Sequence, residues 1–320
     1  MTRAWVGIDI AKLKFDVAIV FEDKRKFHKI FENNSKGFKE FAKWLATFNI
    51  QYPHFCLEAT GIYGYELAYF LHEKSYKVSV INPARIKAYA ESEGIRNKTD
   101  KVDAYVIARF CKSHEPNVWI PPSANRHELQ GLYRCLQSLQ EDFTRVNNRL
   151  EGCLTKSKAI KKIWDDYVED LESKITRVEK QIQALIEEDH ELNEQVALLE
   201  SIPGVGHKTA VAILSELPDI KNFKNAKEVA AFAGLSSKRK ESGTSVRERG
   251  SLCKRGSSAL RKALFFPAIV AKQHNPILKS FSERLLKKGK NGMVIVSAIM
   301  RKFLHIIYGV LKNRQVFTAD

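Results

Sequence analysis

Four acidic residues in the N-terminal third of the chain stand where their carboxylates could act together. Asp9 interrupts an apolar segment, Glu58 ends a later one, and Asp100 and Asp103 are three residues apart at the start of a helical pattern. A carboxylate in an apolar strand costs several kcal/mol unless it is solvated, paired or bound to a metal. The simpler interpretation is a solvent-facing Asp and two acids that complement a helix dipole. Convergence of all four would favour hard divalent cations, Mg²⁺ or Mn²⁺, which assist phosphoryl transfer in pairs.

Alternating strand and helix patterns surround these acids and would position them. The apolar segment 5–20 predicts a β-hairpin with a tight turn at 11–14, because both arms are rich in Val and Ile. Further strands are predicted near 26–31, 54–58 and 77–82, and helices at 36–48, at 65–74 and from Thr99 or Asp100 onward. This order predicts an α/β domain with a three-layer fold. In a twisted sheet, a strand residue and a neighbouring strand end can face one helix terminus, so the four acids could meet.

The middle of the chain changes character. Residues 126–200 carry apolar side chains at alternating spacings of three and four, and the rhythm breaks at 156–162. The pattern predicts two long helices that form an antiparallel coiled-coil arm. The stretch 116–123, with two consecutive prolines, is typical of a linker. The chain is therefore predicted to have an α/β domain (1–122), a coiled-coil arm (123–200) and a mainly α C-terminal domain (201–320).

Positive charge is confined to the C-terminal part. The net charge is +16, and residues 201–320 hold 23 Lys and Arg against 7 Asp and Glu, whereas residues 1–200 hold 30 of each. A nucleic-acid backbone is the natural partner for such a field, and a membrane surface is the weaker alternative.

Two segments of this basic part could contact phosphates. The sequence Ile202-Pro-Gly204-Val-Gly206 between two helical runs resembles a helix-hairpin-helix turn, whose glycines let backbone N–H groups approach a phosphate. A plain interhelical turn is the alternative. Residues 235–256 are rich in Gly, Ser and Thr and predict a loop. The predicted nucleic-acid contacts are Gly204, Gly206, Lys208, Lys238, Arg239, Lys240, Arg247, Arg249, Lys254 and Arg255.

The same loop offers several serine hydroxyls, each a poor nucleophile without activation. Its composition alone does not choose between Ser236, Ser242, Ser245 and Ser251, and the histidines nearest to Ser242 are His207 and His274. A solvated loop that only holds nucleic acid fits the same residues. If one serine is a nucleophile, a metal held on the distant acids is the simplest activator.

The cysteines and the apolar segments argue against other classes of protein. The five cysteines (56, 111, 135, 153 and 253) form no CxxC pair and no His or Cys cluster is apparent, which predicts neither disulfides nor a zinc site and fits a reducing cytoplasm. The first residues predict no signal peptide. The apolar run 293–300 is too short to span a bilayer and predicts a core helix. The sequence therefore predicts a cytoplasmic protein without a membrane partner.

The order of the acids, on strand, strand and helix, resembles the RuvC-like branch of the ribonuclease-H fold. Seven motifs extend the resemblance over residues 5–315. They are Val6-Gly-Ile-Asp9-Ile-Ala-Lys, Leu57-Glu58-Ala-Thr-Gly61, Val80-Ile-Asn-Pro83, Arg96-Asn-Lys-Thr-Asp100-Lys-Val-Asp103-Ala, Ile202-Pro-Gly-Val-Gly206, Phe232-Ala-Gly-Leu235 and Glu241-Ser242-Gly243. Together they resemble the DEDD transposases of bacterial insertion sequences, the IS110 family, described as bridge-RNA-guided recombinases.

The resemblance implies a mechanism and its residues. Asp9, Glu58, Asp100 and Asp103 would be the Mg²⁺-binding acids, and Ser242 the nucleophile that forms a phosphoserine link before strand exchange through a Holliday-like junction. A noncoding bridge RNA would pair with donor and target DNA. The active site would combine acids and serine from different protomers of a tetramer, a dimer of dimers associated with the nucleoid. The chain departs from the family pattern at Ser237 and Cys253, where proline and serine are expected, which leaves the local loop geometry open.

Two other functions compete with this recombinase. One is a Mg²⁺-dependent nuclease or junction resolvase, in which water attacks and Ser242 only binds phosphate. The other is a noncatalytic RNA- or DNA-binding protein, which the basic C-terminal part alone would allow. The four placed acids in an otherwise neutral half speak against this last class.

Overall fold

The computed structural model describes residues 3–59, 61–95, 99–152, 158–238, 241–242, 246–247 and 251–319. The chain divides into two compact units, Met1–Pro121 and Pro122–Asp320. The predicted linker 116–123 spans this division. The helices of the predicted arm and the basic segment belong to one unit, so a further domain boundary at residue 200 stays a prediction.

The first unit is built on a mixed five-stranded sheet. Its strands are β1 (Arg3–Ile10), β2 (Lys14–Phe21), β3 (Lys26–Glu32), β4 (Tyr52–Glu58) and β5 (Lys77–Ile81), in the spatial order β3-β2-β1-β4-β5. The first three strands form an antiparallel meander, and β4 and β5 continue the sheet in parallel with β1. The predicted α/β class is confirmed, and the strand order is compatible with a ribonuclease-H-like domain.

Helices cover both faces of this sheet. They are α1 (Ser35–Ala46), α2 (Tyr65–Glu73), α3 (Pro83–Ser92) and α4 (Asp100–His114). Side chains such as Val6 and Ile8 pack with α1 and α2 on one face, while Trp5 and Cys56 pack with α3 and α4 on the other. The sequence interpretation missed α3, because Pro83 was taken only as the end of a strand. Pro83 instead begins a helix whose N-cap is Asn82, which accepts a hydrogen bond from the Ala84 backbone N–H at 2.8 Å.

The second unit is helical apart from short strand pairs. Its helices are α5 (Ala124–Glu151), α6 (Lys158–Glu188), α7 (His190–Glu200), α8 (His207–Glu216), α9 (Ala226–Phe232), α10 (Ser258–His274), α11 (Pro276–Lys287) and α12 (Gly292–Asn313). The long helices α5 and α6 pack against each other, as their apolar spacing predicts. Their coiled-coil geometry stays a prediction. The predicted continuation of the second long helix to residue 199 is wrong, because the Asp189 carboxylate accepts from the Leu192 backbone N–H at 3.0 Å and begins a new helix.

The last helix, α12, is the one described helix that is long and apolar enough to cross a membrane by length and composition. It runs past Arg301 and Lys302 to Asn313, well beyond the apolar run 293–300. Its side chains Ile299, Phe303 and Ile307 are fully buried in the core of the second unit. This packing is that of the predicted core helix.

The basic stretch between α9 and α10 contains no helix in its described parts. It holds four two-residue strands, in which β6 (Ser237–Lys238) pairs with β9 (Ser251–Leu252) and β7 (Glu241–Ser242) pairs with β8 (Val246–Arg247). The ends of the stretch are fixed to each other, because Lys254 N–H donates to the Gly234 carbonyl at 3.0 Å and Ser257 N–H donates to the Phe232 carbonyl at 2.8 Å. The predicted loop is therefore a pinned, partly strand-paired segment.

Candidate functional site

The four predicted acids lie at one end of the sheet and of α4, and we call them the carboxylate cluster: Asp9, Glu58, Asp100 and Asp103. The parallel register of β1 and β4 pairs Ile8 with Leu57, so the next residues, Asp9 and Glu58, stand side by side at the strand ends. Asp100 and Asp103 occupy the first turn of α4, whose N-cap Thr99 accepts from the Val102 backbone N–H at 3.3 Å.

A close approach of α4 to β1 brings the helix start to Asp9. A Cβ added at Gly7 would lie 2.2 Å from the Ala104 carbonyl oxygen and 2.2 Å from the Ala108 nitrogen, so only glycine allows this contact. Gly7 and Asp9 lie on the same face of β1, because strand side chains alternate. Asp100 and Asp103 precede Ala104 in the first turn of α4, so the start of the helix is directed toward Asp9.

The acids act on one another electrostatically. The pKa of Asp9 is raised from 3.8 to about 6, first by burial and then by the negative charges of Asp103, Glu58, Asp100 and Asp16, in that order. Each of these causes disfavours the charged form of Asp9. Asp9 is thus a carboxylate that a bound cation would stabilise, which distinguishes it from a solvated strand-end residue.

A fifth carboxylate, Asp16, belongs to the same neighbourhood and was missed from the sequence. Asp16 is the cross-strand partner of Asp9 and only 3% exposed. Its Oδ1 lies 2.8 Å from His28 Nε2, and its Oδ2 accepts from Lys14 Nζ at 3.4 Å. Asp16 interrupts an apolar strand as Asp9 does, so the same sequence argument would have found it.

Lys14 brings a positive charge to the cluster. Its ammonium donates to Asp100 Oδ2 at 2.7 Å, and this hydrogen bond raises the pKa of Lys14. Carboxylate oxygens are the ligands that hard divalent cations prefer. An all-oxygen donor set, an Asp9 whose charge is disfavoured and an ammonium drawn to Asp100 together fit a site for Mg²⁺ or Mn²⁺.

The predicted phosphate-binding turn joins α7 to α8, and its glycines have different roles. Gly204 has a φ of +99°, and a Cβ there would lie 2.7 Å from Ala271 Cα in α10, so packing alone requires this glycine. Gly206 is the N-cap of α8 and has open space around it. Lys208 donates to Glu179 Oε1 at 2.9 Å. The plain interhelical turn therefore explains Gly204, while Gly206 remains accessible to a ligand.

The other predicted nucleic-acid contacts are described only in part. Lys238, Lys254 and Arg255 are exposed. Arg247 and the serine Ser242 are described in their backbone alone, as members of the paired strands β8 and β7. Arg239, Lys240 and Arg249 lie outside the described residues.

The expectation that no His or Cys cluster exists is wrong. His54, Cys56 and Cys111 form a buried group in the first unit; each residue offers one possible ligand atom, and these three atoms lie within 4.8 Å of one another. We call this group the thiol–imidazole cluster. Cys56 and Cys111 are both free thiols. Sequence spacing did not reveal the group, because Cys111 reaches it only through the packing of α4 on β4.

Comparisons with known proteins match the two parts of the chain to transposases. Residues 6–158 match a protein-family model described as "Transposase", and residues 196–283 match one described as "Transposase IS116/IS110/IS902 family". The chain is 36% identical over 320 residues to the pilin gene-inverting protein of Moraxella bovis, covering 99% of this chain and 98% of the relative. The protein of the same name from Moraxella lacunata is equally similar.

A further relative is a transposase by name. The chain is 25% identical over 272 residues to the transposase for insertion sequence element IS1111A of Coxiella burnetii, covering 74% of this chain and 72% of the relative. The resemblance inferred from the motifs is confirmed, and the family's activity is recombination of DNA in insertion sequences. On the strength of these matches over both units, this chain belongs to the IS110 family of transposases.

Proposed function

We propose that the chain is a DNA recombinase in which the carboxylate cluster binds Mg²⁺, or Mn²⁺, and Ser242 attacks DNA. The first unit would then be a RuvC-like domain of the ribonuclease-H fold. The observation that carries this proposal is the convergence of the four acids: Asp9 and Glu58 stand side by side at two strand ends, and Asp100 and Asp103 lie in the first turn of α4. The raised pKa of Asp9, which has the other three acids among its causes, agrees with this placement. Divalent ions bound there would supply Lewis-acid stabilisation of the charge that develops on phosphoryl oxygens.

The proposed chemical step forms one P–O bond for the one that it breaks. Ser242 Oγ forms a bond to a DNA phosphorus, the bond from that phosphorus to one deoxyribose oxygen breaks, and the hydroxyl proton passes to solvent while the leaving oxygen takes one up. The resulting phosphoserine stores the energy of the broken phosphodiester, so a deoxyribose hydroxyl of another strand can reverse the step and complete strand exchange. The family motif Glu241-Ser242-Gly243 supports the choice of Ser242.

The basic loop would hold the DNA during this step. Lys238, Lys254 and Arg255 are exposed close to its pinned base. Cationic side chains of this kind contact phosphates without reading sequence, and Arg247 and Arg249 would stabilise the charge on the attacked phosphate. The concentration of positive charge in residues 201–320 supports a nucleic-acid partner.

The finer features of the family complete the proposal. A noncoding bridge RNA would pair with donor and target DNA, and two dimers would assemble into a tetramer with the helices α5 and α6 as a coiled-coil arm. The protein would act in the bacterial cytoplasm at the nucleoid. Relatives named for inverting a pilin gene support strand rejoining, because inversion requires that every cut end be joined again.

A trapping experiment tests the nucleophile. Incubation with donor and target DNA, the bridge RNA and Mg²⁺ should give a protein–DNA adduct that survives denaturation, and peptide mapping should place it on Ser242. Ser242→Ala should give no adduct and no strand exchange, whereas Ser245→Ala, a change of the same kind in the same loop, should give both. Strand exchange by Ser242→Ala at the wild-type rate would disprove the assignment.

The same experiment separates the competing functions. Cleavage that depends on Mg²⁺ but leaves no adduct in wild-type protein would identify a nuclease or junction resolvase that uses water. Nucleic-acid binding without cleavage, together with stability and activity that do not respond to Mg²⁺, would identify a noncatalytic binding protein.

A further inference from the structure

The thiol–imidazole cluster lies on the sheet face that α4 covers, at the opposite end of the helix from the carboxylate cluster. His54 and Cys56 are two residues apart on β4 and point to the same face. Cys111 comes from the last part of α4. His54 is 3% exposed and both cysteines are fully buried. Bulk solvent therefore does not reach these side chains.

A hydrogen-bond chain fixes the proton on the His54 ring. The Ser79 hydroxyl donates to the Asn117 carbonyl at 2.8 Å, and the Pro116 carbonyl lies 3.1 Å away. Since Ser79 has a single hydroxyl proton, its oxygen accepts the contact from His54 Nε2, which lies at 2.8 Å. Nε2 therefore carries the ring proton, and Nδ1 presents a lone pair.

His54 Nδ1 is buried and has no hydrogen-bond partner among the residues that the structure describes. A buried acceptor without a partner costs about 1–3 kcal/mol. Burial lowers the pKa of His54 to about 4, so the ring is neutral at neutral pH. Imidazoles that bind metals are arranged in this way, with one nitrogen donating to an oxygen and the other left for the ion.

The two thiols complete a donor set of the soft type. Burial raises the pKa of the Cys111 thiol, and its hydrogen bond with Cys56 raises it further. The Cys111 thiol is therefore protonated in the absence of a cation. Thiolate and imidazole ligands select Zn²⁺ over Mg²⁺, which prefers oxygen.

We propose that His54 Nδ1, Cys56 Sγ and Cys111 Sγ bind one Zn²⁺ ion. Binding releases two thiol protons to solvent and forms two zinc–sulfur bonds and one zinc–nitrogen bond. The charges of two thiolates and one Zn²⁺ cancel, so the complex is neutral, which a buried site requires. This site has no part in the proposed strand exchange and does not depend on it.

Trp5 offers a reason for a fourth ligand. It is the register partner of His54 on β1, and its indole Nε1 is also buried without a hydrogen-bond partner in the described part of the chain. Three protein ligands leave one position of tetrahedral zinc open. A water as the fourth ligand is the kind of acceptor that the Trp5 N–H lacks.

The test uses the full chain with its three other cysteines replaced, so that any zinc-bound sulfur belongs to Cys56 or Cys111. The variant Cys135→Ser/Cys153→Ser/Cys253→Ser keeps only Cys56 and Cys111. Purified without chelator, it should contain about one zinc per chain, and X-ray absorption should give two sulfurs at ~2.3 Å and at least one nitrogen at ~2.0 Å. Loading the metal-free protein with Co²⁺ should produce a thiolate charge-transfer band that excess Mg²⁺ does not remove.

Removing ligands should abolish the signal. In the same background, Cys56→Ser and Cys111→Ser should each lose the cobalt band and at least tenfold in zinc affinity, while the background itself keeps both. Absence of sulfur from the zinc coordination sphere, or a cobalt band that survives both substitutions, would overturn the proposal. These readouts on the background protein decide the question even if the substituted proteins fail to fold.

Discussion

The two ends of helix α4 carry opposite kinds of ligand on one scaffold. At its start, the carboxylate cluster is only partly buried, and Lys14 reaches it from the surface. At its end, Cys111 joins His54 and Cys56 in a group that is buried from solvent. Both clusters are held in place by the same sheet face and the same helix. Burial is what differs, because charged oxygen ligands need access to solvent or a cation, whereas neutral thiols tolerate a dry interior.

The largest expected effect comes from removing the charge of Asp9. Asp9→Asn should lower strand exchange by about a thousandfold, because it removes an oxygen ligand from the proposed metal site. The metal-free variant should nevertheless be more stable at pH 7 by about 1–2 kcal/mol, since the pKa of Asp9 is raised to about 6 and its charged form opposes folding. Strand-exchange assays and hydrogen exchange of β1 amides measure the two effects.

A second substitution should weaken metal binding at both ends of α4. Gly7→Ala places a methyl group 2.2 Å from backbone atoms of Ala104 and Ala108, so α4 must move away from β1. We expect a loss of about 3 kcal/mol in stability and weaker binding of both Mg²⁺ and Zn²⁺. Gly131→Ala is the matched control, because nothing lies within 4 Å of its added Cβ, and it should stabilise α5 by about 0.5–1 kcal/mol. Unchanged binding of both ions in Gly7→Ala would show that neither site depends on the close packing of α4 on β1.

The two ends should respond to acid in opposite directions in metal-free protein. The folded pKa of Asp9, about 6, exceeds the unfolded 3.8, so this group adds stability as the pH falls from 6 to 4. The folded pKa of His54, about 4, lies below the unfolded 6.5, so this group's contribution is complete above pH 6.5 and is lost as the pH falls to 4. Each contribution is about 1–3 kcal/mol.

Single variants can resolve these opposing contributions. Hydrogen exchange of β1 and β4 amides at pH 7 and pH 5, with a chelator present, reports the local free energy of opening. Asp9→Asn should make the loss of stability on acidification steeper, and His54→Gln should make it shallower. Parallel changes in both variants would show that the two ends titrate with the same sign.

The smallest effect is expected at Lys14. Lys14→Gln removes the ammonium that donates to Asp100, so a divalent cation meets less competition at the carboxylate cluster. We expect Mg²⁺ to bind about two- to fivefold more tightly, because an exposed ion pair is screened by solvent and contributes little. Isothermal titration with Mg²⁺ measures the change, and Zn²⁺ affinity should stay the same. Weaker Mg²⁺ binding would indicate that Lys14 helps to orient Asp100.

The sequence could predict the carboxylate cluster at one end of α4 but not the thiol–imidazole cluster at the other. The strands and the acid positions follow from short-range patterns, namely apolar runs, an N-cap at Thr99 and two acids in one helical turn. The thiol–imidazole cluster depends on where residue 111 meets β4, eleven residues beyond the start of α4, and no local pattern encodes that meeting. The break at Asp189 was missed because the apolar spacing continues through it.

The pinned base of the basic loop sets a limit on reach. Gly234 and Lys254 hold the two ends of the loop together, and Ser242, the proposed nucleophile, stands eight residues beyond Gly234. An extended chain spans at most about 3.6 Å per residue, so Ser242 can travel no farther than ~29 Å from that base. The pinned base therefore sets the greatest distance at which Ser242 can reach a phosphate. Each inserted residue would extend this reach by ~3.5 Å, and shortening the reach below the distance to the phosphate would stop the reaction abruptly.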